Sequence, residues 1–227
     1  DFPAFWTRSS GLKADQRHFG LSLFGGDTVA TPGPATFSVT MFGNPVRRMV
    51  QRAGARPGDL VCVTGTIGDG GLGLAELRKP HEGLSPAQRR FLTARYRLPQ
   101  PRTRFGLLLP RFASAALDVS DGLVQDLGHL AGASGVRVVV EAASVPLSPA
   151  ALRLERADTG LRPRALEAGD DYEIAFTLPA RRLEACRAAA SESRTRVTVI
   201  GRVEQGRGVA VTGRDGLPVP LRGGFDH

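Results

Sequence analysis

Lysine is nearly missing from this chain of 227 residues. Lys13 and Lys79 are the only two, and arginine supplies the other 28 of its 30 basic residues. Set against 22 acidic residues this leaves a net charge of +8, which is ordinarily a first pointer to a phosphate-bearing partner. The arginines are scattered, however, without a long basic run and with little aromatic interleaving, and the skew toward arginine reads as coding bias as much as binding chemistry. A dedicated nucleic-acid binder is not expected. Cysteine is also scarce. Cys62 and Cys186 lie far apart with no metal-ligand spacing, and are expected to be reduced, buried thiols of a cytoplasmic protein. No apolar run reaches the ~18–20 residues that cross a bilayer, so no membrane partner is expected. No secretory signal is recognisable, and a start at Asp1 rather than Met is expected to mark either a truncation or an omitted upstream segment.

Several catalytic signatures are missing too. No Gly-Lys-Ser/Thr follows the glycine-rich stretch Gly68–Gly73, so it is not a Walker A loop, and it lacks the ordered glycines of a dinucleotide fold. The four histidines, His18, His81, His129 and His227, have no zinc spacing. There is no Gly-x-Ser-x-Gly elbow, no internal repeat and no low-complexity segment.

What is present is an ordinary globular balance, 41% apolar and 23% charged, which excludes general disorder. The length suits one large domain or one and a half. Apolar spacing predicts a helix over Phe2–Phe19, strands at Gly20–Phe24 and Ala35–Phe42, helical character over Val46–Ala53, and a buried strand at Leu60–Thr66. Helices are expected around Pro86–Tyr96 and Arg102–Arg111. A strand at Ala115–Val119, a helix over Leu123–Ala133 and a strand at Val136–Glu141 follow. The last part reads as a strand at Tyr172–Leu178, a helix over Ala180–Ala190 and three short strands within Val197–Leu221. Strands and helices alternate without a repeating unit, which favours an α+β fold with a mixed sheet.

The informative residues are acids at strand-to-loop junctions beside glycine. Asp27 follows Gly25-Gly26, Asp118 closes a strand, Asp121 follows Ser120, and Asp170-Asp171 follow Gly169. Carboxylates in this setting suit Mg²⁺, a hard ion that takes one or two carboxylates and shares substrate phosphates. Ser120 could offer a hydroxyl or backbone N–H to a phosphate at the start of the helix Leu123–Ala133. Plainer readings stand beside these. Asp121 is a good helix N-cap, Gly26-Asp27 a plain turn, Asp170-Asp171 a solvated pair, and Arg52 a solvent-facing side chain.

Six short segments occur in one order: Gly25-Gly26-Asp27-Thr28, Ala53–Asp59, Val63–Asp69, Asp118–Leu123 with Asp126–His129, Gly169–Glu173 and Gly224–His227. Together they resemble the thiamine-monophosphate kinases of the PurM-like (aminoimidazole ribonucleotide synthetase) superfamily. The resemblance implies a two-domain α+β architecture with mixed sheets covered by helices. Residues 1–46 would be the end of an incomplete, ATP-binding and dimerising first domain, and residues 47–227 the second domain. It implies ATP contacts at Gly26, Asp27, Arg52 and Ser120, Mg²⁺ ligands at Asp27, Asp118 and Asp121, and substrate contacts at Asp170 and Phe225. The implied reaction is ATP-dependent phosphorylation of thiamine monophosphate to the diphosphate, with Mg²⁺ as cofactor and no side-chain nucleophile or base. The implied oligomer, given a complete first domain, is a homodimer. The alternatives are another ATP-using enzyme of the superfamily (aminoimidazole ribonucleotide synthetase, selenophosphate synthetase or the hydrogenase-maturation type) or a truncated, non-catalytic nucleotide-binding module.

Overall fold

A computed structural model describes residues 2–45 and 48–220. The expected substrate contact Phe225 and the terminal segment Gly224–His227 lie outside the described residues. The chain divides into two compact units, Asp1–Val46 and Arg47–His227.

The first unit holds one helix, α1 (Phe2–Phe19), where apolar spacing predicts it. The strands expected at Gly20–Phe24 and Ala35–Phe42 do not form. Alternation supplies an apolar edge, but a strand also needs a hydrogen-bonded neighbour. None of the described strands pairs with this stretch. Phe24, Phe37, Val39, Met41 and Phe42 are all exposed.

The second unit is built on a six-stranded sheet. Its strands are β1 (Asp59–Thr64), β2 (Ala115–Val119), β3 (Arg137–Glu141), β4 (Glu173–Pro179), β5 (Val197–Glu204) and β6 (Gly208–Thr212). Their order is β2-β4-β1-β5-β3-β6. All pairs are antiparallel except β3 with β6. Two strands therefore occupy the C-terminal stretch where three are expected, and the third contributes only an isolated bridge between Thr212 and Pro218. The class is α+β, as the pattern of elements predicts.

Period-two alternation sends neighbouring side chains of each strand to opposite faces. Val61 and Val63 of β1 join Leu117 and Val119 of β2 on one face, under α5 (Leu123–Ser134), which contributes Leu123, Leu127 and Leu130. Cys62 of β1 and Phe176 and Leu178 of β4 face the other way. There they meet Cys186 and Ala189 of α8 (Leu183–Glu192) and Phe105 of α4 (Thr103–Gly106). Burial pushes both thiols up, Cys62 to about 12 and Cys186 to about 11, so both stay protonated. A satellite cluster gathers Leu92 of α3 (Pro86–Arg97), Ala151 and Leu154 of α6 (Pro149–Glu155), and Leu161 and Ala165 of α7 (Leu161–Glu167).

The departures from expectation have local causes. The glycine-rich stretch, which the sequence left without an element, opens α2 (Asp69–Arg78). Pro110 and Gly106 break the helix expected over Arg102–Arg111 into the single turn α4 and a 3₁₀ turn at Leu109–Arg111. The described part of Val46–Ala53 is not helical, because its polar groups are used sideways: Gln51 O accepts from Ala116 N at 2.9 Å. The helix ends that are legible in sequence are capped as their residues dictate. Ser85 and Gln88 form a reciprocal capping box on α3, with Pro86 at its first position. Leu127 is fully enclosed between α5 and the sheet. Leu127→Ala is therefore expected to lower unfolding free energy by about 3 kcal/mol, read from urea unfolding.

Candidate active site

Two acid-bearing turns meet at one end of the β2–β4 pair. Strand β2 carries Asp118 opposite Ile174 of β4, exposed while its strand neighbours are buried. The strand ends at Val119, and Ser120-Asp121-Gly122 lead into α5. Asp121 is not the helix cap. That position is Gly122, which has no side-chain cap. The loop is held from inside the helix, where the buried Asp126 carboxylate accepts the backbone N–H groups of Ser120 and Asp121, both at 3.0 Å. Burial raises the Asp126 pKa, the two N–H groups oppose that, and the nearby charges of Asp121 and Asp118 add to it. Ligand oxygens or nitrogens of Asp121, Asp126 and His129 lie within 4.8 Å of one another.

The second turn, Gly169–Tyr172, extends the strand pairing beyond the strands themselves. Asp170 N donates to Ser120 O and Tyr172 N to Val119 O, each at 2.8 Å. The approach is close enough that a Cβ on Gly169 would stand 2.3 Å from Ser120 O. The candidate metal ligands Asp118 and Asp121, the candidate phosphate contact Ser120 and the candidate substrate acid Asp170 thus share one hydrogen-bonded frame. Asp170 and Tyr172 have φ of 67° and 51°. Left-handed backbone costs a non-glycine residue about 1–3 kcal/mol and persists only where the surroundings enforce it.

Between these two residues, Asp171 points the other way and is fully buried. Its carboxylate accepts Gly68 N at 2.6 Å and Gly70 N at 2.9 Å, at the N-terminus of α2. Backbone meets backbone here too: a Cβ on Gly70 would lie 2.4 Å from Asp170 O. The glycine-rich stretch therefore cradles an oxygen acceptor, but the acceptor is the protein's own carboxyl group. Burial pushes Asp171 up to about 7, opposed by the Gly68 and Gly70 N–H groups.

Glu173, the first residue of β4, is also fully buried. It accepts the Thr64 hydroxyl at 2.7 Å, Arg95 of α3 at 3.1 Å and Arg102 at 2.7 Å. Arg95 also donates to Asp171 O at 2.9 Å. Hydrogen bonding to Glu173 raises the Arg102 pKa further, against the effect of its burial.

Gly26 and Asp27 are exposed residues of the first unit, where Asp27 accepts the N–H of its neighbour Thr28 at 2.7 Å. Arg52 is exposed on a bend, and its carbonyl accepts from Ser134 at the last residue of α5, whereas Asp121 precedes the first. A helix of this length separates its ends by about 18 Å. Sequence reasoning assigned no role to Asp126, Glu173, Arg95 or Arg102, and its plainer reading made Asp171 a solvated turn residue, whereas the structure buries it fully. The one signal available was that Asp126, Asp171 and Glu173 fall inside the short segments that carry the family resemblance.

Residues 56–214 match the family described as AIR synthase related protein, C-terminal domain. The thiamine-monophosphate kinase of Caulobacter vibrioides is 40% identical over 221 residues, covering 95% of this chain and 62% of that protein. The thiamine-monophosphate kinase of Salmonella typhimurium is 37% identical over 230 residues, covering the whole chain and 70% of its relative. The chain belongs to the thiamine-monophosphate kinase family. Among solved structures, a ThiL complexed with AMPPCP and TMP superimposes with a TM-score of 0.66 at 36% identity, over 79% of this chain and 54% of that one. The PurM-like architecture implied by the motifs is thus the family's fold. The chain spans about three fifths of the Caulobacter relative and about half of the ThiL chain.

Two outcomes follow from the buried acids of this family member. Glu173→Gln leaves Arg95 and Arg102 without their anion, and a loss of about 3 kcal/mol is expected in urea unfolding. Asp171 is shifted up from 3.8, so between about pH 4 and 7 the folded state holds a proton that the unfolded chain has released. Its contribution to stability is full below that window and is lost as pH rises through about 7. The wild-type urea midpoint should therefore fall more between pH 5 and pH 8 than that of Asp171→Asn.

Proposed function

We propose that the protein to which this chain belongs transfers the γ-phosphoryl group of ATP to thiamine monophosphate, giving thiamine diphosphate, and acts in the cytoplasm. The observation that supports this reading is the backbone pairing of Asp170 with Ser120, which joins the Asp170 turn to the loop carrying Asp118 and Asp121. In this reading residues 47–227 are the second domain of the enzyme, and residues 1–46 the end of a first domain through which it dimerises.

The donor chemistry fits the metal. Asp118 is exposed and Asp121 half-buried, both offering carboxylate oxygens at a strand end, while Asp126 is turned inward onto backbone N–H groups. Asp118 and Asp121 would hold Mg²⁺ together with phosphate oxygens, and in the first unit Asp27 would do the same. Bound there, the ion offsets the repulsion between two anionic reactants. The protein's own part is placement. Ser120 and Gly26 contact the nucleotide, as does Arg52. Asp170 pairs with the cationic thiamine moiety and Phe225 packs on it. The accepting phosphate oxygen is already ionised at neutral pH, so the chemistry needs no strong general base. This accounts for a site of Asp, Ser, Gly and Arg without a nucleophilic cysteine, and both thiols are buried on the far side of the sheet.

The test is turnover by the intact protein with ATP, Mg²⁺ and thiamine monophosphate, with thiamine diphosphate resolved by chromatography. Diphosphate formation that stops on chelation is expected. Its absence, with ATP and monophosphate both recovered unchanged, overturns the proposal. Asp121→Asn is expected to lower kcat on the order of 100-fold while the fold, followed by circular dichroism, is unchanged.

A further inference from the structure

The carboxylate that grips α2 and the carboxylate assigned to the substrate are neighbours in sequence and point in opposite directions. Asp170 is half-buried at the turn surface and Asp171 is fully enclosed beneath it. Each is flanked by a constraint. On one side, Asp170 N and Tyr172 N are paired to the carbonyls of Ser120 and Val119. On the other, the Asp171 side chain is fastened to two N–H groups at the start of α2, and Arg95 fastens its carbonyl. Main-chain pairing alone fixes where the turn sits. The backbone is left-handed at Asp170 and Tyr172, a conformation that persists only where the surroundings enforce it. The side-chain attachment of Asp171 holds the residue between them turned inward, and at the surface the Asp170 carboxylate has a contact of its own, the Tyr172 hydroxyl donating to Oδ1 at 3.5 Å.

We propose that Asp171 is a positioning residue for recognition of the cationic part of the substrate: by anchoring to Gly68 N and Gly70 N of α2 it aims the Asp170 carboxylate away from the core. This rests on the reading of Asp170 as the substrate acid. The anchor works through Asp170 and not through the Asp118–Asp121 loop, whose hydrogen bonds to the turn are main-chain and do not involve the Asp171 side chain. Its action is therefore selective: the substrate acid loses its aim while the nucleotide side of the site retains its own support from Asp126.

The experiment measures dissociation constants by calorimetry on the intact protein, for thiamine monophosphate and separately for AMPPCP with Mg²⁺. In Asp171→Asn the carboxamide presents an N–H₂ to one of the two backbone donors. The expected result is a rise of about tenfold in the thiamine monophosphate Kd, with the AMPPCP Kd within about twofold of wild type. In a background of Asp170→Asn, Asp171→Asn should produce no further rise, because a residue that acts through another is non-additive with it. Equal weakening of both ligands, or effects that add, would show a general structural role and overturn the inference. If Asp170→Asn weakens thiamine monophosphate and Asp171→Asn does not, this inference alone fails. If Asp170→Asn leaves that Kd unchanged, the assignment of Asp170 fails and takes the inference with it. Should Asp171→Asn not fold, Asp171→Glu, which retains the charge and moves it by one methylene, carries the same pair of measurements.

Discussion

The arrangement of this domain turns on one buried carboxylate. Glu173 opens strand β4, and its oxygens gather a hydroxyl from β1, a guanidinium from α3 and a second guanidinium from Arg102, just ahead of α4. An anion removed from water is costly unless its partners are close and complete. Here the partners lie up to 109 positions from Glu173 along the chain. Satisfying Glu173 therefore fixes where β4 begins relative to β1 and α3. Everything immediately upstream of it, the turn Gly169–Tyr172 with its two acids, inherits that placement. Arg95 extends the same arrangement by one link, because it also binds the carbonyl of Asp171.

Much of the second unit was legible in its sequence. Strand β2, helix α5 and the cores of β1, β3 and β4 follow from apolar runs and alternation, because each buries a face whose period is written in its residues. The elements that escaped have no such record. Helices α6 and α7 are short and lie in a segment of mixed polarity, and are defined by packing around Leu92 and Ala165. Helix α2 begins in glycines, which carry little helical propensity, and tertiary contact with Asp171 and Asp170 sets its start. In the first unit the failure ran the other way. Ala35–Phe42 has the pattern of a strand, but pattern cannot supply a neighbour.

The candidate site divides along the same line. Acids at strand ends beside glycine could be picked out by eye, since exposure at a junction is a local property. Asp118, Ser120, Asp121 and Asp170 do lie together on one hydrogen-bonded frame. Of the residues that hold them, Asp126 and Glu173 looked like more of the same acidic background, and Asp171 looked like a second junction acid beside Asp170. What separates them is burial and choice of partner. Asp121 showed the opposite error: it had the credentials of a helix cap, yet the loop is secured by Asp126 reaching back from the first turn of α5.

The contacts between the acid turn and its surroundings at Gly169 and Gly70 are made by main chain lying directly on main chain. Side chains can accommodate a changed neighbour by hopping between rotamers, and a bare backbone has none to hop between. A joint of this kind is stiff in a particular sense. It transmits displacement without absorbing it, so the turn shifts only if α2 shifts with it as a rigid rod. Adaptation to ligands of different shape is then left to the exposed ends of Asp118, Asp170 and Tyr172, and the frame beneath them acts as an anvil.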